Sequence, residues 1–188
     1  MRDEPWLDGA VADLLTRCGR RLAIDIGANH GTWSVMLKPL FARVIAVEPD
    51  ERCAEIQGVD FYRCAVGHSS GFATLWISAR PDQNHLGDLH PLHQSGGRPV
   101  RVPIVTLDEL CGQEAPDFVK IDVEGAEDQI LSGVCDPQFY RSTSFLVESH
   151  AREAKLAAIL KGWNRPFVKI PHPDPCPDHC WLAVPPLT

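Results

Sequence analysis

Asp25, Gly27 and Gly31, with Glu48 placed 17 residues past the second glycine, are the residues of this chain whose types and spacing could most directly do chemistry. The segment Asp25-Ile26-Gly27-Ala28-Asn29-His30-Gly31 follows an apolar run that reads as a strand. Its glycines permit a tight turn and a close approach of backbone to a bound molecule, and an acid at the tip of the next strand can accept hydrogen bonds from a ribose diol. That is the chemistry of a cradle for a nucleotide-type cofactor. The plain structural alternative is a glycine-rich turn in an α/β protein with no such cofactor.

The spacing is D-x-G-x-x-x-G rather than G-x-G-x-x-G, and the acid two residues ahead of the first glycine discriminates between cofactors. A pyrophosphate on a helix N-terminus would be repelled by it, whereas S-adenosylmethionine (SAM) has no phosphate and ends in a sulfonium and an ammonium group. The electrostatics favour SAM. A nicotinamide oxidoreductase would share the fold and Glu48 but should carry a third glycine and no Asp25.

Alternating α and β signals position these residues. A helix is expected at 8–18, buried strands at 21–26 and 43–48 around a helix at 31–40 ended by Pro39, and a helix at 50–57 with Asp50 as N-cap. A third strand is expected at 59–65, then half-exposed strands at 72–78 and 99–105 flanking a polar insert, residues 79–98. Thr106 caps a short helix at 107–111, and a strand at 117–123, a helix at 125–133, a strand at 144–148, a helix at 151–162 and a closing pair at 166–170 and 180–184 follow. The order fits one doubly wound α/β domain over residues 1–188 with an antiparallel closing hairpin.

Composition narrows the function classes. At 188 residues, 44% apolar and 23% charged, the chain has the make-up of a globular domain, and its net charge of −7 argues against a general nucleic-acid binder, which needs a basic face. No apolar run approaches the roughly 18 residues of a membrane helix, and the first residues lack the layout of a signal peptide. A cytoplasmic protein with reduced, mostly buried thiols is expected from its seven cysteines. Only the tail with His172, Cys176, His179 and Cys180 resembles a zinc cluster, but zinc sites usually bring paired short-spaced ligands from two separate turns, and a proline-rich loop leading into a final strand is the reading expected there.

In doubly wound sheets ligands sit beyond the carboxyl ends of the strands, and those ends carry Asp25, Glu48, Ala65, Asp122 with Glu124, and Glu148 with His150. Carboxylates at so many neighbouring strand ends imply a shared polar cleft, although Asp122 and Glu124 could simply cap the next helix. His150 is the first candidate for a general base, ahead of His85, His90 and His93 of the insert. Lys120, two residues from Asp122 on the same strand face, reads as its buried ion-pair partner.

The stretches DIGANHGTWS at 25–34, VIAVEPD at 44–50, AVG at 65–67, VTLDEL at 105–110 and KIDVEGAE at 120–127 together resemble the FkbM family of SAM-dependent methyltransferases. The resemblance runs in order from about residue 22 to 150 and implies a Rossmann-like class I methyltransferase sheet: seven strands, mostly parallel, order 3-2-1-4-5-7-6, with strand 7 antiparallel. It implies O-methylation of a hydroxyl or carboxyl on a small molecule. It further implies that Asp25, Gly27, Ala28, Asn29 and Gly31 surround the methionine part of SAM, with Ser34 supporting the loop. Glu48 with Pro49 would meet the ribose, Cys64 and Ala65 the adenine, and Asp122 the sulfonium side. His30 reads as a solvated loop residue and Trp33 as core packing.

Methyl transfer from sulfonium to oxygen is an in-line displacement that needs alignment and removal of the hydroxyl proton. His150 and Asp122 are the expected catalytic pair, and His85, Glu124 and Glu148 the expected contacts of a small hydroxylated substrate, with 79–98 as a substrate lid. Asp122, Glu124, Glu148 and His150 could instead hold a divalent metal that binds the acceptor oxygens. A methyltransferase-like binding module without activity stays open on the sequence.

Overall fold

In chain order the elements are α1 (Asp8–Arg17), β1 (Leu22–Ile26), α2 (Thr32–Leu37), β2 (Arg43–Val47), β3 (Asp60–Tyr62), β4 (Ala65–Val66), β5 (Gly71–Ile77) and β6 (His85–Leu86). There follow β7 (Arg98–Val105), α3 (Leu107–Cys111), β8 (Phe118–Ile121), α4 (Glu127–Ser132), a 3-10 turn at Pro137–Tyr140, β9 (Ser144–His150), α5 (Glu153–Gly162), β10 (Val168–Pro171) and β11 (His179–Val184). The computed structural model describes residues 8–79, 84–87, 97–171 and 179–187. None of its helices is long and apolar enough to cross a membrane.

β1, β8 and most of β2 and β9 are buried on both faces, as the continuous apolar runs in their sequences require of central parallel strands. They form a seven-stranded sheet in the order β10-β11-β9-β8-β1-β2-β3, with β11 antiparallel to both neighbours. Counting only the strands of this sheet, the order is 3-2-1-4-5-7-6, the class I methyltransferase arrangement. One face packs Leu107, Ile130, Tyr140, Leu156 and Leu160, and the other packs Leu14 of α1 and Leu37 of α2 with Phe118 and Trp181. Trp33 belongs to this second core, its ring 6.0 Å from that of Trp181.

A second sheet, β4-β7-β5-β6, departs from the sequence reading in a way that matters for the site. The single third strand expected at 59–65 is two: β3 pairs with β2 in the large sheet, and β4 pairs with β7 in the small one, with Cys64 at the crossing. Of the insert, residues 79, 84–87, 97 and 98 are described, and His85–Leu86 pair with β5, Leu75 opposite Leu86. His90, His93, His172 and Cys176 lie outside the described residues.

Two expected helices are altered. α2 stops at Leu37 because Pro39 has no N–H to continue the ladder. Residues 50–57 form turns, not a helix. There the Arg63 guanidinium donates to the carbonyls of Asp50 and Cys53, acceptors that a helix would need for itself, and the Asp50 carboxylate binds Arg52. Among the described cysteines none is paired, and Cys135 is exposed rather than buried.

Candidate active site

The loop after β1 is pinned to the end of β2: the N–H groups of Gly27 and Ala28 both donate to the Val47 carbonyl at 3.0 Å. Gly27 has φ 75°, and a Cβ there would lie 1.8 Å from the Asp122 carbonyl oxygen, so only glycine lets the loop cross the end of β8 this closely. Gly31 has φ 84° and its place for a Cβ is filled by the Ile56 side chain.

Glu48 is buried and held from both sides. Its Oε2 accepts from the Asn29 N–H and its Oε1 from the Asp50 N–H, each at 2.9 Å. Burial raises its pKa above the ordinary carboxylate value, and the two backbone donors work against that shift. Each oxygen keeps a second lone pair for a ligand hydroxyl.

Gly27, Asn29, Glu48 and Pro49 line one cavity together with Ile26, Val47, Cys64, Ala65, Val66, Leu75, Asn84, His85, Leu86, Asp122, Val123 and Glu124. Cys64, Ala65, Val66, Leu75 and Leu86 give it an apolar stretch of wall beside Asn84 and His85, and Glu48, Asp122 and Glu124 are its carboxylates. Ala28, Gly31 and Ser34 shape the loop without lining the cavity, and His30 is exposed.

Asp25 is placed differently from its expected role. It is fully buried, its Oδ2 accepts from Ser34 Oγ at 2.6 Å, and its Oδ1 lies 3.2 Å from Lys120 Nζ. The expectation that this carboxylate selects the cofactor by its charge is therefore corrected: Lys120 neutralises it, and it braces the loop from outside the cavity lining. Lys120 also donates to the Gly27 carbonyl at 2.8 Å and reaches Asp122 Oδ2 at 3.4 Å. Burial disfavours its charge, but Asp25 and Asp122 more than compensate and raise its pKa.

Beyond Asp122 lies an acidic cluster around His150. Its Nδ1 is 2.7 Å from Glu127 Oε1, and its Nε2 is 3.4 Å from Glu124, 3.9 Å from Glu148 and 4.0 Å from Asp122. Burial opposes an imidazolium there, yet Glu127 and the surrounding carboxylates raise its pKa to about 10. Burial, then the Asp122 charge, push Glu148 up to about 9, whereas Lys120 and His150 overcome burial to keep Asp122 below the usual range. The surrounding carboxylates thus favour the charged imidazolium over the neutral base expected from the sequence. Glu148, expected at a strand end, sits within β9 and, like His150, stays outside the cavity lining.

Of the expected site residues, the structure brings Gly27, Asn29, Glu48, Pro49, Cys64, Ala65, His85, Asp122 and Glu124 into one cavity. His85 shares the wall with Cys64 and Ala65. Glu127, Asn84, Leu75 and Leu86 escaped the sequence reading. Glu127 could have been found, since it lies three residues past Glu124 in the KIDVEGAE stretch and opens α4, but the other three carry no local signal.

Residues 25–161 match the methyltransferase FkbM domain. The chain belongs to the FkbM family. Its members are SAM-dependent methyltransferases, and the cavity suits that cofactor, with a carboxylate held for a diol, an apolar wall for a base and an acidic end for a cation. The 2-O-methyltransferase NoeI of Sinorhizobium fredii is 28% identical over 141 residues, 58% of this chain and 56% of NoeI. This FkbM-family chain thus spans about half the length of that curated relative. The methyltransferase FkbM of Methylobacillus flagellatus superposes with a TM-score of 0.58 at 17% identity, over 87% of this chain and 43% of that one. The 1,6-didemethyltoxoflavin-N1-methyltransferase of Burkholderia thailandensis, solved with S-adenosylhomocysteine (SAH) bound, gives 0.52 at 15%, over 99% and 80%. At these identities the structural likenesses speak for the fold.

Proposed function

We propose that this chain methylates a hydroxyl group of a small polar molecule, using SAM as donor. The observation that carries the reading is the single cavity in which Gly27, Asn29 and Glu48 face the same space as Asp122 and Glu124, in a chain of the FkbM family. The name of the relative NoeI, a 2-O-methyltransferase, supports oxygen as the acceptor atom. Unpaired thiols among the described cysteines fit a cytoplasmic setting.

Bound in the cavity, SAM supplies an electrophilic methyl group on a sulfonium. Glu48 would accept hydrogen bonds from the ribose hydroxyls, Cys64, Ala65 and Leu86 would enclose the adenine, and Gly27 and Asn29 would receive the methionine part. Asp25, Ser34 and Lys120 brace that loop from behind. Asp122, kept ionised by Lys120 and His150, favours a cation at its end of the cavity. It and Glu124, the carboxylates at that end of the cavity, would take the hydroxyl proton as the oxygen attacks, with His150 as their counter-charge. Alignment supplies most of the acceleration.

A second reading has one observation in its favour. Among the described residues, Asp122, Glu148 and His150 each offer a ligand atom within 4.8 Å of the others, Glu124 staying outside the group. A divalent cation such as Mg²⁺ held there would lower the pKa of an acceptor hydroxyl. The test of both is methyl transfer from labelled SAM to a panel of hydroxylated and amine acceptors, with and without chelator. Label in hydroxylated products alone is expected; label confined to amines contradicts O-methylation, and unchanged turnover in chelator removes the metal.

A further inference from the structure

The hydrogen bonds that fix Glu48 extend beyond the loop around it. The Asp50 N–H that donates to Glu48 belongs to a residue whose own carboxylate is fully buried and accepts from Asn84 Nδ2 at 2.6 Å and Arg52 Nη2 at 2.7 Å. Arg52 Nη1 donates in turn to the Ser78 carbonyl at 2.8 Å, and Asn84 Oδ1 accepts from the Ser78 N–H at 2.9 Å. The turn after β2 is thereby joined to the end of β5 and the start of β6, 26 and 34 residues along the chain, around one buried carboxylate. Asn84, His85 and Leu86 all line the cavity, opposite a Glu48 that belongs to the other sheet. Nothing about a surface hairpin requires a buried acid with an arginine and an amide at its root. Such a network is costly to leave partly satisfied and, when complete, holds its members in one arrangement.

We propose that Asn84 is a positioning residue for the cofactor: through Asp50 and Arg52 it fixes the wall formed by His85 and Leu86 relative to Glu48, so that the second sheet sets the affinity for SAM. The inference rests on the reading of the cavity as the SAM site. It reassigns the root of the insert, expected to meet the methyl acceptor, to the cofactor.

Asn84→Ala removes the donor to Asp50. Calorimetric titration with SAH should show a Kd raised about tenfold, as expected for a hydrogen bond to a buried charge. In turnover the KM for SAM rises, while kcat and the KM for the acceptor stay within about twofold, because the interaction acts on binding alone. Asn84→Asp sets two carboxylates side by side and weakens SAH binding further; adding Asp50→Asn restores one amide and one carboxylate beside Arg52 and recovers most of the affinity. The swap decides where a single variant loses its fold. Wild-type affinity in N84A, or a swap that binds no better than N84D, overturns the inference with the SAM reading intact. Absence of SAH binding by the wild-type protein overturns both.

Discussion

Lys120 holds two carboxylates, Asp25 on the neighbouring strand and Asp122 two residues on, and is itself almost wholly buried. Replacing it by methionine keeps the volume but strands the buried Asp25 and the half-buried Asp122, and breaking a buried pair in this way costs about 3–5 kcal/mol. Urea unfolding of Lys120→Met should show a loss of that order; a loss under about 1 kcal/mol would mean that the acids find other partners. Gly27 admits no side chain at all, with its φ of 75° and the Asp122 carbonyl where a Cβ would go. Gly27→Ala should therefore abolish SAH binding and lower the melting temperature together. At this scale the sequence showed which residues matter better than what they do. Gly27 and Glu48 could be read directly, because their demands are local. The role of Asp25 could not, since it depends on the register that sets Asp25 beside Lys120 in the adjacent strand.

The elements tell a similar story of local and distant causes. Strands buried on both faces declare themselves as apolar runs, and the Thr106 and Glu109 capping box of α3 is written in consecutive residues. The turn at 50–57 is not, because Arg63, from beyond β3, removes the carbonyls that a helix would use. The split of the third strand likewise depends on β7, some forty residues away, which captures Ala65 and Val66 opposite Ile104 and Val105. The turn makes a prediction about pH. Burial alone would raise the pKa of Asp50, but Arg52 and Asn84 outweigh it and hold the carboxyl below its ordinary 3.8. A depressed carboxylate contributes stability above its unfolded pKa and loses it as pH falls through the folded value. Asp50→Asn should thus be less stable than the wild type near neutral pH, with the gap closing as pH falls below the ordinary carboxyl value of 3.8. A gap independent of pH would show that Arg52 does not hold the charge.

For the whole molecule, two sheets meet at one cavity. The large sheet supplies the loop after β1, Glu48 and the acidic end at Asp122, and the small one supplies the wall from Ala65 to Leu86. The large sheet was legible through the FkbM resemblance; of the small one, β5 and β7 were legible as half-exposed strands, but not their pairing with β4 and β6 into a separate sheet, since those pairings cross an insert without apolar period. The acceptor is then a question for Glu124, His150 and their surroundings. The central claim, that this cavity holds SAM, is tested most directly by calorimetric titration of the purified protein with SAH and, separately, with NAD. One site for SAH with a Kd on the order of 1–100 μM, weakened by Glu48→Ala, and no heat from NAD are expected. No SAH binding, or tighter binding of NAD, would contradict it.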